Sequence, residues 1–201
     1  MTRVRSLKGR LLVANPAMPD PNFNRTVVLM LAHQADGALG VVLNRPSELD
    51  VDSPLPRWER LVADPPVVFV GGPVAPGAAI CLAHVPDAPA GPTGLEPPDV
   101  DDLEGLGGWL PLVGDLGTLD LDRDPDELEI DVKAIRVFAG YAGWGAGQLE
   151  SEVEAGAWFV VDAEAADALA GDPDQLWRRV LRRQGGRLAL VASYPRDPSL
   201  N

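Results

Sequence analysis

The sequence predicts an α+β (mixed α/β) fold: a single compact domain of intermixed, coiled mixed β-sheet with a few helices and a long acidic loop region. Three observations carry this. Apolar, β-branched runs of strand length recur along the chain. Hairpin signals come early and strand–helix–strand units late, without strict βαβ alternation. A proline-, glycine- and acid-rich stretch interrupts them at residues 86–131. At 201 residues with 46% hydrophobic content, one domain covering residues 1–201 can bury its own core without metal or disulfide.

The elements follow in order. Residues 9–15 (GRLLVAN) read as a short buried strand that stops at Pro16. PAMPDPNF, with three prolines, reads as an extended loop. Residues 26–33 (TVVLMLAH) form a continuous apolar run, hence a central strand. Asp36-Gly37 signals a turn somewhat longer than two residues, and GVVLN (residues 40–44) returns as the second strand of a hairpin. Arg45-Pro46 is expected to end it, because proline cannot donate to a ladder. WERLVA (58–63) suggests a short helix. VVFV (67–70), closed by Gly71-Gly72-Pro73, and AICLAHV (79–85) are further strands. Within the acidic excursion, WLPLVG and LGTLDL suggest one hairpin. AIRVFAGY (134–141) is a strand, a modest helix spans 147–155, and AWFVV (157–161) is again a strand. Asp162 is the expected cap of a short alanine-rich helix. Asp172-Pro173-Asp174-Gln175 is a well-formed helix start, and Leu176, Trp177, Val180 and Leu181 give that helix its apolar face. It stops at Gly185-Gly186, and residues 187–194 are expected to close the sheet as a strand.

The formal charge is −13, from 30 acids against 17 bases. Such a chain repels nucleic acid and anionic membrane. No apolar stretch reaches the length of a membrane span, and no signal-peptide pattern follows the basic first ten residues. Cys81 is the single cysteine, so no internal disulfide forms. The expected setting is cytoplasmic and reducing. Cys81 and His84 form C-x-x-H, but an offset of three on a strand puts them on opposite faces, and two histidines with one cysteine do not complete a zinc site. No metal or cofactor is expected.

Three features remain as candidate sites. GYAGWGAGQLE (140–150) places glycines at an expected strand-to-helix corner. Such a corner can present backbone N–H groups to an anion, with Gly143, Trp144, Gly145 and Gln148 as candidates. Equally, it can be a tight corner with Tyr141 and Trp144 packed in the core. The spacing matches neither a dinucleotide fingerprint nor a Walker motif. Arg25, Asn44 and Arg45 fall at one end of the hairpin, where the arginines can converge on an anion. Alternatively, Asn44 bonds local backbone. Arg178, Arg179, Arg182 and Arg183 cluster on the last helix, as a solvated face or as a contact for an acidic partner. His33, near the hairpin turn, is a candidate general base or a structural histidine. No G-x-S-x-G elbow is present.

GRLLVANPAMPDPNFNRTVVLMLAHQADGALGVVLNRP, VVFVGGPV and RVFAGYAGWGAGQLESEVEAGAW, in that order, resemble the motif blocks of the AlgH/YqgE family. LWRRVLRRQGGRLALVASYPRDPSLN resembles its actinobacterial branch. The resemblance implies a compact fold of coiled sheets and helices. It brings no catalytic residue list, and a transcriptional-regulator label carried by some members is not matched here by a helix-turn-helix signal. The leading expectation is a non-catalytic binding or regulatory protein for a small anionic ligand or a protein partner. An enzyme with an unrecognised site and a regulator acting through nucleic acid are the alternatives.

Overall fold

The computed structural model describes residues 6–18, 20–86 and 108–195. A curled sheet runs through the molecule, with a few helices laid against it. Its strands are β1 (Arg10–Ala14), β2 (Val27–Gln34), β3 (Gly37–Val42), β4 (Pro46–Asp50), β5 (Val67–Val70), β6 (Val74–His84), β7 (Trp109–Val113), β8 (Leu116–Leu119), β9 (Ala134–Gly145) and β10 (Trp158–Asp162). The strand order is β10-β1-β2-β3-β9-β6-β8-β7, and β5 joins β4 to β9 off this path. All pairings are antiparallel except β5 with β9. The helices are α1 (Gln148–Glu154), α2 (Ala165–Ala168), α3 (Pro173–Arg183) and α4 (Gly186–Val191).

The β2 run is continuously apolar because both of its faces are covered. Val27 and Leu29 face the cluster that receives Leu176, Trp177, Val180 and Leu181 of α3. Val28 and Met30 face the opposite cluster, with Trp144, Leu149 and Trp158. β1 alternates in the same way: Leu11 and Val13 go to the first cluster, Leu12 and Ala14 to the second. Asp172 caps α3 as its sequence implies, its Oδ1 accepting from the Gln175 N–H at 3.3 Å.

Several expectations are corrected. The β2–β3 link is only Ala35-Asp36. The hairpin's second strand ends at Val42, before Arg45-Pro46, but Pro46 starts a further strand that was not expected: β4 pairs only with β5, and the first residue of an edge strand tolerates a missing donor. Residues 56–61 form a 3-10 turn in place of an α-helix. Glu164, not Asp162, caps α2, in a reciprocal pairing with Asp167. Residues 186–191 are helical, where a strand was expected. Within this stretch only Leu188, Ala189, Leu190 and Val191 are apolar, after Gly186 and Arg187, a run too short for periodicity to separate helix from strand. Leu188 and Val191 lean on the first core cluster while Leu190 is exposed. The WLPLV and LGTL runs do form a hairpin, β7–β8, and it extends the sheet beyond β6. Residues 87–107 of the acidic stretch lie outside the described residues.

The glycine-rich segment is not a strand-to-helix corner at its first glycine. β9 continues through it to Gly145, and α1 starts only at Gln148. Gly71-Gly72 crosses β9 here. A Cβ at Gly72 would lie 2.2 Å from the Tyr141 carbonyl carbon, and one at Gly140 would lie 2.7 Å from the Gly72 oxygen. Gly140 also sits at φ +70°. Backbone crossing backbone at contact distance is what requires glycine at these two positions.

Candidate functional site

The residues before β2, those after β3 and the first turns of α3 meet in an open cleft of about 260 Å³ lined by Asn24, Arg25, Asn44, Arg45, Asp174, Trp177 and Arg178. Asn44 builds its floor. Its Oδ1 accepts from the Val27 N–H at 2.9 Å and its Nδ2 donates to the Arg25 carbonyl at 2.9 Å. That side-chain bracket substitutes for a ladder rung where the hairpin opens. It holds Arg25 at φ 53°, a left-handed conformation that non-glycine residues rarely adopt. Arg25 then lies with its guanidinium carbon 4.5 Å from the Trp177 ring centroid and donates to the carbonyls of Tyr194 and Pro195. Trp177 is itself fixed by its indole N–H, which donates to the Ala14 carbonyl at 2.9 Å.

Arg45 donates to the Asn24 carbonyl across the cleft mouth. Asp174 and Arg178 lie one turn apart on α3, so both reach the same side of the helix. The Nε of Arg178 is buried without a hydrogen-bond partner. Among the described residues, three guanidiniums and one carboxylate therefore line a concave surface on a chain whose net charge is −13. Planar guanidinium forks in such a setting match the oxygens of carboxylates and phosphates.

The structure thus brings together Arg25, Asn44 and Arg45, adds Arg178 from the arginine cluster, and leaves the glycine-segment residues elsewhere. Gly145 pairs with Gly37 at the far end of β3. Seven residues separate Gly37 from Asn44, on the order of 20 Å of strand. Trp144 is buried. Its indole N–H and that of Trp158 both donate to Glu152 Oε2, at 2.9 and 2.8 Å. Gln148 accepts from the Gly145 N–H at 3.1 Å and donates to Glu152 Oε1 at 3.0 Å. Burial pushes the Glu152 carboxyl up, but the donors Trp158, Gln148 and Trp144 outweigh it and hold the group below its ordinary range. Phe23 closes this cluster, 5.5 Å from Trp158 edge-on. Gly143 and Gly145 are exposed, and an added Cβ would find nothing nearer than 3.5 Å and 3.9 Å respectively.

The other candidates are not among the described residues that line the cleft. The His33 side chain is 2% exposed, and its Nε2 lies 3.0 Å from Glu150 Oε1. Its Nδ1 accepts from the Leu7 N–H at 3.0 Å. Both ring nitrogens are thus engaged inside the protein. Cys81 is buried, which pushes its thiol up, away from thiolate chemistry. Of the arginine cluster, Arg183 pairs with Asp167 and Glu164, while Arg179 and Arg182 are exposed. Among the described residues, no group of three His, Cys, Asp or Glu side chains can hold a metal, and no helix is long and apolar enough to cross a membrane.

Sequence reasoning missed Asn24 and Asp174 and treated Trp177 only as core. The local signal was available for two of the cleft residues: Asp174 and Arg178 are four apart on a helix, beside the apolar face.

Comparison with known proteins agrees with this architecture. A family model described as AlgH-like matches residues 11–189. A UPF0301 protein of Streptomyces coelicolor is 52% identical over 201 residues, covering 100% of this chain and 98% of its own length. One from Mycobacterium bovis is 44% identical over 199 residues, covering 99% of this chain and 92% of its own. The crystal structure of a Corynebacterium diphtheriae protein superposes with a TM-score of 0.80 at 31% identity, over 96% of this chain and 95% of that one. The solution structure of AlgH from Pseudomonas aeruginosa gives 0.62 at 28% identity, over 97% of each chain. This chain belongs to the AlgH-like family.

Proposed function

We propose that this member of the AlgH-like family is a cytoplasmic binding protein whose arginine-lined cleft holds a small anionic ligand. The observation that carries the reading is the meeting of Arg25, Arg45 and Arg178 around one cleft on an otherwise strongly acidic chain. Guanidinium forks gathered on a concave surface match the oxygens of an anion, and the described lining residues include three arginines and Asp174. The buried, unpartnered Arg178 Nε supports the same reading, since a buried donor without an acceptor costs about 1–3 kcal/mol. His33, the general-base candidate, is withdrawn into the protein and lies at the other end of the hairpin, so the reading is of binding and not of turnover.

The test is a solution titration. The Arg178 Nε–H resonance is followed by NMR while inorganic phosphate, sulfate, succinate and acetate are added in turn. At least one anion should move that resonance saturably, and Arg45→Met together with Arg178→Met should abolish binding while the remaining spectrum keeps its dispersion. If none of the four anions moves it, the cleft is not an anion site.

A further inference from the structure

Independently of the arginine cleft, we propose that His33 is a proton-operated latch: while its imidazole is neutral it holds residues 6–8 as a strap against β2, and protonation releases them. The strap lies just ahead of β1. Before Gly9, its hydrogen bonds to β2 both end on His33. The Leu7 N–H donates to the His33 Nδ1 at 3.0 Å, and the Ser6 hydroxyl donates to the His33 carbonyl at 3.3 Å. Gly9 is the pivot. Its N–H donates to the Met30 carbonyl at 2.8 Å. It sits at φ +74°, and a Cβ there would lie 3.0 Å from the Leu112 oxygen. The chain is therefore fixed from Gly9 onward. What lies ahead of Gly9 is held by His33 and by the half-buried Leu7 side chain, which packs on the cluster of Met30, Trp144 and Trp158.

The chemistry follows from which atoms face each other. A backbone N–H can only donate, so Nδ1 carries a lone pair in the closed state. The neutral ring then has its proton on Nε2, which lies 3.0 Å from Glu150 Oε1 on α1. A second proton can go only to Nδ1, where it meets the Leu7 N–H, donor against donor. The bond that ties the strap is lost, while the contact with Glu150 becomes an ion pair. The open strap accepts a proton that the closed one excludes, so falling pH favours opening. Histidine is the side chain whose ordinary charge change falls between about pH 5 and pH 8. Among the described residues, Glu150 is the ionisable side chain that touches the ring. Glu152 on the same helix is turned to Trp144 and Trp158, and Glu154, a turn beyond Glu150, is exposed. Lys8 on the strap and Asp36 in the β2–β3 turn are exposed as well. β3, whose Ala38 lies opposite His33, carries no ionisable side chain, and β9 carries none after Tyr141. Release of the strap uncovers the side of the tryptophan cluster on which Leu7 packs.

The experiment follows the full, nitrogen-labelled chain by NMR from pH 8 to pH 5, reading the His33 ring nitrogens and the hydrogen-exchange protection factor of the Leu7 amide. At pH 8 the His33 Nδ1 should be unprotonated. Leu7 protection should then fall by about tenfold for each pH unit below the His33 titration, the limit for one coupled proton, while the amides of β1 and β2 keep theirs. Glu150→Gln keeps an acceptor for the Nε2 proton but removes the charge that favours the imidazolium. In that variant the His33 titration and the Leu7 release should move together to lower pH. His33→Gln cannot titrate, so its Leu7 protection should be level across the range; where that variant fails to fold, Glu150→Gln carries the test alone. The latch is refuted if Leu7 protection stays level while His33 titrates, if His33 does not titrate in this range, or if Nδ1 holds the proton at pH 8. It is refuted equally if Glu150→Gln moves one event without the other. Loss of protection throughout β1 and β2 in step with Leu7 would also overturn it, because acid would then be opening the whole domain.

Discussion

Arg136, near the start of β9, is 1% exposed, and replacing it by Met should destabilise the fold measurably and predictably. Its Nη1 donates to the carbonyls of Ala168 at 3.2 Å and Ala170 at 2.9 Å. Its Nη2 donates to the Asp64 carbonyl, and the guanidinium carbon lies 4.3 Å from the Phe69 ring centroid. Methionine keeps much of the packing but leaves three carbonyls without a donor. At about 1–3 kcal/mol for each of the two buried groups, Ala168 and Ala170, and about 1 kcal/mol for the carbonyl of the exposed Asp64, the loss is roughly 3–7 kcal/mol. Against it stands the relief of a buried charge. Burial lowers the guanidinium to about 10, with Asp64 pulling the other way, a difference that costs the charged form about 3 kcal/mol at neutral pH. The net expectation is a loss on the order of 2 kcal/mol, or roughly 4–8 °C in Tm for a domain of this size. Urea unfolding followed by far-UV circular dichroism measures it, the midpoint falling while the slope is kept. A midpoint shift worth less than about 0.5 kcal/mol, the usual effect of a featureless surface change, would refute the claim that these three carbonyls depend on Arg136. Arg136→Lys tests the same reasoning from the other side. It keeps the charge buried, yet a single ammonium cannot span three carbonyls on two segments, so it should cost at least as much as the methionine.

Two further predictions separate roles within the glycine segment and its neighbours. Gly140→Ala places a Cβ 2.7 Å from the Gly72 oxygen at a residue with φ +70°, and should cost at least about 2 kcal/mol in thermal or urea unfolding. Gly143→Ala and Gly145→Ala meet nothing closer than ordinary contact, so they should be neutral or stabilising by up to about 1 kcal/mol and leave anion binding at the arginine cleft unchanged. Loss of binding in either variant would show that the two ends of the hairpin are coupled. Glu152 has a folded carboxyl held below its ordinary value. Its contribution is therefore present above the unfolded-state value and lost as pH falls through the lower, folded one. Stability of the parent chain should drop more steeply on acidification below about pH 4.5 than that of Glu152→Ala; parallel pH profiles of the urea midpoint would remove Glu152 from the acid response.

What was legible in the sequence was local. Asp172 announces α3 because a cap, a proline at the first position and the N–H three residues on are all within one turn. The β2 run announces a strand covered on both faces because six consecutive apolar residues, too few for a typical helix, stand between a proline-rich loop and a turn. What was illegible depended on partners far along the chain. Gly140 and Gly143 look alike in GYAGWG, but only Gly140 has the Gly71-Gly72 crossing above it, nearly seventy residues earlier. Arg136 reads as one polar residue in an apolar strand, and no local pattern says that three carbonyls from two other segments will close around its guanidinium.

Asn44 shows how the two kinds of information meet in the cleft. Its sequence position, at the end of the hairpin beside Arg45, is open to two readings, contact with an anion or a bond to local backbone. In the structure both amide atoms are used on the backbone of the opposite strand's approach, at Val27 and Arg25. That does not remove Asn44 from the site; it changes its part. By fixing the Arg25 carbonyl it fixes the left-handed turn that lays the guanidinium over Trp177, and so sets one of the three positive charges that the ligand would meet. Asn44→Ala should therefore weaken anion binding through Arg25, and it should also lower stability by about 1–3 kcal/mol, because the buried Val27 N–H loses its acceptor. Asn44→Asp keeps the acceptor for Val27 but removes the donor to Arg25. It also adds a negative charge beside the cleft, so it should weaken anion binding more than its effect on stability would suggest. Equal binding losses at equal stability losses in the two variants would instead mean that Asn44 serves the fold alone.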